Sequence, residues 1–361
     1  MSFARILNDL DARSRWKLER KLPSWAGLDI VVPASLNLEQ CSSEATALYK
    51  ASLLPDGARV ADLTGGLGAD SWAFARKAAA VWYNERDAVL LEAVKRNFAV
   101  LGLSNVVFNG FDITPGAGGW QESLRSFAPD CIYLDPARRD AAGRKVFLLE
   151  DCSPDLVALL PLLLDIAPCI LIKVSPMADL TMLRRRLEGY LAELHVVGAD
   201  GECKEILCVC RRDALYTGVV LVEDGFVCNR REGNALPAPF HPVFRVPEGR
   251  SPDAANEAVH DLLFVPSAAL VKSGLGPGLG IIDYDEHLSH FGKFWQIIEN
   301  LPFASSVIKS LGSRYPQADV TARGVPISSE ELRKKIKTKP GGSVHIFACT
   351  INGDRRLLVC K

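Results

Sequence analysis

The 361-residue sequence contains no run of about 18 consecutive apolar residues, so it predicts no transmembrane helix. Residues 1–21 are charged and have no apolar core of the kind that signal peptides carry, and a cytoplasmic location is therefore expected. None of the ten cysteines forms a CxxC pair, which argues against a zinc site, and no metal is expected. The sequence also contains no long internal repeat.

The cysteines lie mostly in apolar runs, as Cys131, Cys169 and Cys208 do. Buried free cysteine behaves as a small hydrophobic residue, so these thiols are expected to pack in the core. Such usage is consistent with a reducing compartment.

Charge is spread unevenly along a chain whose formal net charge is −1. Residues 290–361 hold twelve basic and five acidic residues, whereas residues 216–289 hold five basic and ten acidic ones. Such asymmetry favours an anionic partner for the C-terminal part, with a solvated basic face as the alternative.

From residue 59 onward, strand-like and helix-like runs alternate, which predicts a mainly parallel sheet with helices on both faces. The expected strands are 59–63, 81–84, 105–108, 131–134 and 169–174, and the expected helices are 70–79, 88–101, 156–164 and 180–187. The runs 193–197 and 205–210 are joined by a loop too short for a helix, so they predict an antiparallel hairpin.

Four regions are expected along the chain. Residues 1–50 are predicted to be a helical extension, 51–215 the main α/β domain, 216–285 a small α/β module and 286–361 a basic domain. In the last two regions, helices are predicted at 253–263, 268–272, 294–298 and 330–337, and strands at 344–349 and 356–359.

A glycine-rich turn follows the first predicted strand, in the segment 60–70, VADLTGGLGAD. As a dinucleotide fingerprint, GxGxxG, it is incomplete, because Ser71 stands at the third glycine position. As an adenosylmethionine site it fits better, because an acid, Asp62, precedes the glycines at the strand end. Asp62 would organise the loop and hold the amino end of the methionine moiety; the alternative is a turn-capping role.

Acidic residues also stand where the next two strands end. Glu85 is placed to bind ribose hydroxyls, as the acid about 20 residues after the glycines does in dinucleotide folds. Asp112 is placed to meet the adenine amino group; the alternatives are a helix-entry acid for Glu85 and an ordinary loop residue for Asp112. The candidate cofactor-binding residues are Asp62, Thr64, Gly65, Gly66, Gly68, Asp70, Glu85, Arg86 and Asp112.

The glycine loop, Glu85, Asp112 and the segment 135–138, DPAR, together resemble class I S-adenosylmethionine-dependent methyltransferases over roughly residues 40–212. The whole chain is similar to a bacterial family that joins such a domain to a ferredoxin-like module, here 216–285, and a C-terminal THUMP-like domain. That closer match is carried by the segments QCSSEATALYKA, 40–51, and SSEELRKK, 328–335.

The resemblance implies an α/β fold with a Rossmann-like seven-stranded sheet, five parallel strands followed by an antiparallel hairpin. It also implies S-adenosylmethionine as the cofactor. Because THUMP domains elsewhere bind RNA, it implies RNA as the partner.

The fourth predicted strand ends at the candidate catalytic residues Asp135, Pro136 and Arg138. Methyltransferases that modify base amino groups carry Asp or Asn, two prolines and an aromatic residue here. Ala137 and Arg138 depart from that pattern, which puts amine methylation, but not methyl transfer, in doubt. Arg138 could stack on a base, hold a phosphate or form a structural ion pair. Lys173 is expected to rim the same pocket or to be a solvated strand end.

A cysteine-nucleophile route is disfavoured, because Cys131 lies inside a strand and Cys152 and Cys203 lack supporting motifs.

A second cluster of candidates lies on the predicted helix 330–337, which Ser328 and Glu331 would begin as a capping box. Residues three to four apart share a helix face, so Arg333 and Lys337 are expected on one face. Pairing of the lysines with Glu330 and Glu331 is the alternative. The candidate RNA-binding residues are Arg333, Lys334, Lys335, Lys337 and Lys339.

The favoured function is an RNA methyltransferase. The alternatives are a methyltransferase of proteins or small molecules, a non-catalytic RNA-binding protein that retains the cofactor fold, and a nicotinamide-dependent oxidoreductase. The amino-acid sequence indicates no particular oligomeric state.

Overall fold

The computed structural model describes residues 11–136 except 115 and 117, residues 155–229, and residues 262–361 except 352. The chain forms two compact units, residues 1–230 and residues 231–361. The predicted helix over 253–263 lies outside the described residues as far as residue 261, and its last two residues begin a strand.

The first unit is built on one large sheet. Its strands are β1 (Arg59–Asp62), β2 (Ala80–Asn84), β3 (Val106–Asn109), β4 (Cys131–Leu134), β5 (Cys169–Val174), β6 (Leu191–Ala199), β7 (Glu202–Cys210), β8 (Gly218–Glu223) and β9 (Phe226–Asn229). Within the described residues the strand order is β3-β2-β1-β4-β5-β7-β6-β8-β9. The first five strands are parallel and β7 runs antiparallel to both β5 and β6. The predicted fold class is therefore confirmed, with two strands more than expected.

Helices cover both faces of this sheet, because its strands are apolar on both sides. They are α1 (Ala12–Lys21), α2 (Ser35–Gln40), α3 (Glu44–Ser52), α4 (Ala69–Ala75), α5 (Ala88–Val100), α6 (Trp120–Phe127), α7 (Leu156–Ile166) and α8 (Leu180–Arg186), with a short 3-10 helix at Pro23–Trp25. One core joins α1 to α5 with the sheet, and a second joins α6 to α8 with its other face. The N-terminal helices are thus part of the main core.

The two hairpins of this sheet turn on Asp-Gly pairs. Asp200 and Gly201 have φ angles of 55° and 75°, and Asp224 and Gly225 have 48° and 87°. Positive φ at both central residues is the requirement of tight turns whose twist matches that of the strands. The chain therefore reverses cleanly between β6 and β7 and between β8 and β9.

The second unit has a six-stranded sheet. Its strands are β10 (Leu262–Pro266), β11 (Gly280–Ile282), β12 (Gly292–Pro302), β13 (Asp319–Arg323), β14 (His345–Ile351) and β15 (Asp354–Cys360), and its helices are α9 (Ala268–Ser273), α10 (Glu286–Ser289), α11 (Ser305–Arg314) and α12 (Ser329–Ile336). The strand order within the described residues is β11-β10-β12-β15-β14-β13. Side chains of α11 and α12 pack on the sheet in one apolar cluster.

The prediction of a separate module at 216–285 is wrong. Strands β8 and β9 extend the first sheet, because β8 pairs with β6, whereas β10 and β11 belong to the second sheet through β12. Among the described residues 218–229 and 262–282, the strands therefore belong to two different sheets and not to one shared module.

The predicted helix at 294–298 is also wrong, because these residues lie inside β12. A register shift between Ile297 and Glu299 marks an irregularity in its pairing with β15. Trp295 and Ile297 therefore face one apolar cluster and Leu301 the other. The shift interrupts the two-residue alternation by which a strand is recognised in a sequence.

Candidate functional site

A cavity of about 1640 Å³ opens in the first unit, where the parallel strands end. Ligands of open parallel sheets bind at these carboxyl ends. The segments after β1 to β5 line the cavity together with residues from 36 to 46 and Glu205 of β7. The volume exceeds the roughly 300–1000 Å³ of an ordinary small-molecule pocket, so it has room for a cofactor and an acceptor group.

The glycine loop between β1 and α4 is held tightly against β2. The Gly65 N–H donates to the carbonyl oxygen of Asn84 at 2.8 Å, and the Tyr83 hydroxyl donates to the carbonyl oxygen of Gly66 at 2.6 Å. A Cβ at Gly65 would lie 2.1 Å from the Tyr83 ring. At Gly68, φ is +87° and a Cβ would lie 2.7 Å from Phe98. Only glycine therefore fits at Gly65 and Gly68.

Asp62 supports this loop from below and does not line the cavity. Its carboxylate accepts hydrogen bonds from the Thr64 N–H at 3.0 Å and the Ser71 hydroxyl at 2.6 Å, and the residue is 1% exposed. Asp62 therefore makes the contacts that were expected to organise the loop. A contact with the amino end of the cofactor would require an exposed carboxylate, and the Asp62 carboxylate is buried. Burial raises the pKa of Asp62 to about 7.

This raised pKa predicts a pH-dependent gain in stability for Asp62→Asn. The folded protein binds the Asp62 proton more tightly than the unfolded chain, where the pKa is about 3.8, so the wild type loses stability as pH rises toward 7. Asparagine does not titrate and keeps partners for Thr64 and Ser71. Across pH 5 to 8, the stability of Asp62→Asn relative to wild type should grow by about 2–3 kcal/mol in urea unfolding. A difference that stays constant across this range would contradict the raised pKa.

Glu85 follows β2 and reaches across to the glycine loop. One carboxylate oxygen accepts a hydrogen bond from the Gly66 N–H at 3.0 Å, and the other accepts one from the Asp87 N–H at 2.8 Å. Glu85 lines the cavity and is partly exposed. The structure thus brings Glu85 and the glycine loop together, as the sequence predicted.

The end of β3 contributes a mostly apolar wall. Phe111 and Ile113 line the cavity beside Asp112, and the Phe111 ring stacks on Trp82 at 6.0 Å between ring centroids. Arg86 and Asp112 are both well exposed and lie 4.0 Å apart. Both candidates therefore line the cavity, and their exposed side chains form only a loose ion pair with each other.

Asn84 positions that wall, and the sequence analysis missed it. Its side-chain amide donates to the carbonyl oxygens of Leu63 and Phe111, at 3.2 and 3.0 Å, and its amide oxygen accepts from the Phe111 N–H at 2.8 Å. Asn84 is 2% exposed. A buried polar side chain needs such partners, so the signal was an amide at the last position of an apolar strand.

The candidate catalytic residues Asp135 and Pro136 lie on the cavity wall after β4, whereas Arg138 lies outside the described residues. The Asp135 N–H donates to the Thr64 hydroxyl at 2.6 Å, and the Lys173 ammonium donates to the Asp135 carboxylate at 2.5 Å. Burial alone would lower the pKa of Lys173, but the Asp135 and Glu205 carboxylates outweigh it and raise that pKa. Lys173 therefore stays charged and is not a solvated strand end.

Asp70 belongs to a buried network beneath the cavity. Its carboxylate accepts hydrogen bonds from the Ser42 hydroxyl at 2.8 Å and the Tyr133 hydroxyl at 2.9 Å. The Lys50 ammonium lies 3.1 Å from Asp70 and 2.6 Å from Glu205. Lys50 is 0% exposed, so Asp70 and Glu205 compensate a charge that water does not reach. The sequence analysis placed Asp70 among the cofactor-binding candidates, and it missed Lys50 and Glu205, which Asp70 accompanies in this network.

The pKa values of the two carboxyl groups shift in opposite directions. Burial raises the pKa of Glu205. Burial would also raise the pKa of Asp70, but the nearby Lys50 and Lys173 ammonium groups outweigh it and lower that pKa. Glu205 is therefore the carboxyl group of this network that takes up a proton first.

In the second unit, α12 begins as predicted. The Ser328 hydroxyl accepts from the Glu331 N–H at 3.2 Å, the Glu331 carboxylate accepts from the Ser328 N–H at 3.1 Å, and Leu332 and Ile336 are buried against the sheet. Lys337 has a φ of +65° and ends the helix. The helix thus ends at Ile336, one residue before the predicted end, although the Lys337 N–H still donates to the Arg333 carbonyl oxygen at 2.9 Å. That Lys337 and Arg333 share a face stays a prediction.

The basic residues of this segment differ in how they are paired. Lys334 lies 2.7 Å from Glu330, with both side chains 68% exposed. Within the described part of the chain, no carboxylate lies within ion-pair distance of Lys335, Lys337 or Lys339, all of which are exposed. The alternative of internal pairing thus applies to Lys334 and leaves three exposed cations.

The described residues contain neither a membrane-spanning helix nor a cluster of metal-ligating side chains. No helix there has the length and apolar character needed to cross a membrane. No group of three or more His, Cys, Asp or Glu side chains there could hold a metal ion.

Comparison with known proteins supports the sequence resemblance. Residues 292–361 match the family model described as THUMP domain-like, and no curated protein matches the sequence. The chain is similar to a candidate methyltransferase from Porphyromonas gingivalis W83, at 28% identity and a TM-score of 0.77 over 100% of this chain and 94% of that one. The resemblance to a methyltransferase with a THUMP-like C-terminal domain is thereby confirmed.

Two further crystal structures are similar to part of the chain. A candidate methyltransferase from Streptococcus mutans, solved with SAH, is 12% identical at a TM-score of 0.33, covering 46% of this chain and 96% of its own. An rRNA methylase from Streptococcus thermophilus is 14% identical at a TM-score of 0.32, covering 46% of this chain and 93% of its own.

Proposed function

We propose that the protein is a methyltransferase that uses S-adenosylmethionine to modify a base in RNA. The observation that carries this proposal is the cavity wall itself. The glycine loop, Glu85 and Asp135 follow three different strands and all line one cavity. This is the arrangement in which a parallel sheet binds a nucleoside and presents it to an acceptor.

The residues present fit a nucleoside cofactor. A Cβ at Gly66 would meet nothing closer than the Thr64 carbonyl oxygen at 4.0 Å, so the loop leaves an open cradle on the cavity side. Glu85 would accept hydrogen bonds from ribose hydroxyls, and Phe111 and Ile113 would contact the adenine ring. When bound, S-adenosylmethionine supplies an activated methyl group on a sulfonium.

The protein's own contribution would be to orient the acceptor. Thr64 fixes the backbone of Asp135 and Lys173 fixes its carboxylate, which is held in one place as a hydrogen-bond acceptor. Such a carboxylate can hold an N–H or O–H of the acceptor and aim its lone pair. Alignment of reactants can supply about 7–11 kcal/mol of a barrier reduction.

RNA is proposed as the substrate on the strength of the second unit. Its match to a THUMP domain-like model and the exposed cations Lys335, Lys337 and Lys339 support phosphate binding. A paired base would have to be flipped out to reach the cavity.

Glu85→Ala tests the cofactor site. The variant should bind SAH about 10- to 150-fold more weakly than wild type in calorimetry, because it loses hydrogen bonds to a charged group worth about 1.5–3 kcal/mol. The control is Glu92→Ala, which removes an exposed carboxylate of α5 that pairs with Lys95. Equal SAH affinity in Glu85→Ala and Glu92→Ala would overturn the ribose assignment.

A triple variant, Lys335→Gln, Lys337→Gln and Lys339→Gln, tests RNA binding. Each lost phosphate contact should reduce the dependence of log affinity on log salt by about 0.7 for single strands, so the slope should fall by about 2. The full chain is used because β12 pairs with β10, and a shorter fragment would leave the second sheet incomplete.

The matched control removes three partly exposed lysines of the first unit, Lys17, Lys77 and Lys95, by the same substitution. Loss of affinity and slope in the first triple variant alone supports the RNA assignment. Identical salt slopes in wild type and both variants would reduce the basic segment to a solvated face.

A further inference from the structure

The cavity carries more negative than positive charge. Among the described residues, ten carboxylate side chains line it against five Lys and Arg side chains, although the whole chain has 43 acidic and 42 basic residues. Negative charge is therefore concentrated at this site. A cavity lined by one sign of charge favours ligands of the other sign.

The five cations of the lining offset only part of this negative charge, and each of them also contacts a group of the protein itself. Arg20 lies over the Trp16 ring, Lys21 donates to the Leu38 and Glu39 carbonyl oxygens, Arg86 pairs with Asp112, Lys173 with Asp135 and Lys204 with Glu202.

The excess of negative charge is also present among the buried side chains of the cavity wall and behind it. We call Lys50, Asp70, Asp135, Lys173 and Glu205 the interior charge cluster. Lys50 lies 3.1 Å from Asp70 and 2.6 Å from Glu205, whereas Lys173 and Asp135 form a separate pair at 2.5 Å, so the cluster holds three carboxylates and two ammonium groups. Glu205 is 2% and Asp70 8% exposed. One negative charge is therefore left over where water screens it poorly. Burial raises the pKa of Glu205, because the low-dielectric surroundings disfavour its charged form.

We propose that the interior charge cluster makes the cavity select the positively charged sulfonium form of the cofactor over the thioether that remains after methyl transfer. This inference rests on the proposed function. The methionine ammonium and carboxylate are common to both forms, so the sulfonium charge is the difference between them. When the S–CH3 bond breaks, its electron pair stays on sulfur, a lone pair of the acceptor forms the new bond to the methyl carbon, and the acceptor's proton is released to solvent. The remaining thioether is neutral and no longer offsets the excess carboxylate, so product release is favoured.

The test is calorimetry on the full chain with two ligands. SAH carries the neutral thioether, and sinefungin carries a protonated amine in place of the methylsulfonium. Wild type should bind sinefungin at least about tenfold more tightly than SAH, which corresponds to about 1.4 kcal/mol. In Glu205→Gln, which keeps an oxygen acceptor for Lys50, this preference should fall below about threefold.

The matched control is Asp200→Asn, which removes an exposed carboxylate from the cavity rim and should keep the wild-type preference. Asp70→Asn removes the other charge beside Lys50 and should reduce the preference as Glu205→Gln does. No preference in wild type, or an equal preference in wild type, Glu205→Gln and Asp70→Asn, overturns the inference while leaving cofactor binding in place. Failure of both ligands to bind overturns the proposed function instead.

Discussion

Asp135→Ala is expected to lower the turnover of methyl transfer at least about a hundredfold while leaving SAH affinity within about threefold of wild type. The hundredfold loss corresponds to about 2.7 kcal/mol, the size of one hydrogen bond to a charged group. The physical reason is that Thr64 and Lys173 hold Asp135 on the cavity wall, where we propose that the acceptor lies, whereas Glu85 and the glycine loop are the residues proposed to bind the cofactor. Single-turnover kinetics with labelled cofactor would measure the loss.

The control for this prediction is Asp165→Ala, which removes an exposed carboxylate near the end of α7, away from the cavity lining. Lys173→Met should lower turnover in the same direction, because Asp135 then loses the contact that fixes it. Normal turnover in Asp135→Ala would show that the end of β4 is not the site of chemistry.

Lys50→Met is expected to destabilise the first unit by about 3–5 kcal/mol, the usual cost of removing one partner from a buried ion pair. The substitution would leave Asp70 and Glu205 facing each other in the interior without their shared cation. Urea unfolding followed by tryptophan fluorescence is a suitable measurement, because five of the six tryptophans lie in residues 1–230.

The double variant Lys50→Met with Glu205→Gln separates charge from packing. It removes one of the two uncompensated carboxylates and should recover part of the lost stability. A cost below about 1 kcal/mol for Lys50→Met, or no recovery in the double variant, would contradict a charge-based role for Lys50.

The main sheet could be predicted because each of its parallel strands is an apolar run that lies between helical segments of the sequence. A parallel strand is covered on both faces, so β4 and β5 read as continuous hydrophobic stretches. The glycine loop could be predicted as well. Only glycine fits at Gly65 and Gly68, so the steric requirement of the loop is visible in the sequence itself. Local patterns therefore placed Glu85 and Asp135 at the correct strand ends.

Contacts between distant segments could not be read in this way. Lys50 and Glu205 are 155 positions apart, and neither has a sequence neighbour that marks it as buried. The pairing of β8 with β6 likewise joins segments through backbone hydrogen bonds, which leave no residue signature. The module boundary and the interior charge cluster were missed for this reason.

Side-chain direction was the other limit. The sequence identified Asp62 as the acid before the glycines, but it could not show that both carboxylate oxygens accept hydrogen bonds beneath the loop. Lys337 was assigned to a helix face because it lies four residues after Arg333 in the predicted helix 330–337. Its φ of +65° shows that the helix has already ended.

The most direct test of the account is methyl transfer itself. The full chain would be incubated with S-adenosylmethionine labelled in its methyl group and with separate fractions of RNA, protein and small metabolites, beside the Asp135→Ala variant. We expect label in the RNA fraction with wild type, and the rate at which this label appears should be at least about a hundredfold lower with the variant. Label confined to the protein or metabolite fraction would contradict the RNA assignment, and no transfer to any fraction would contradict the proposed methyltransferase activity.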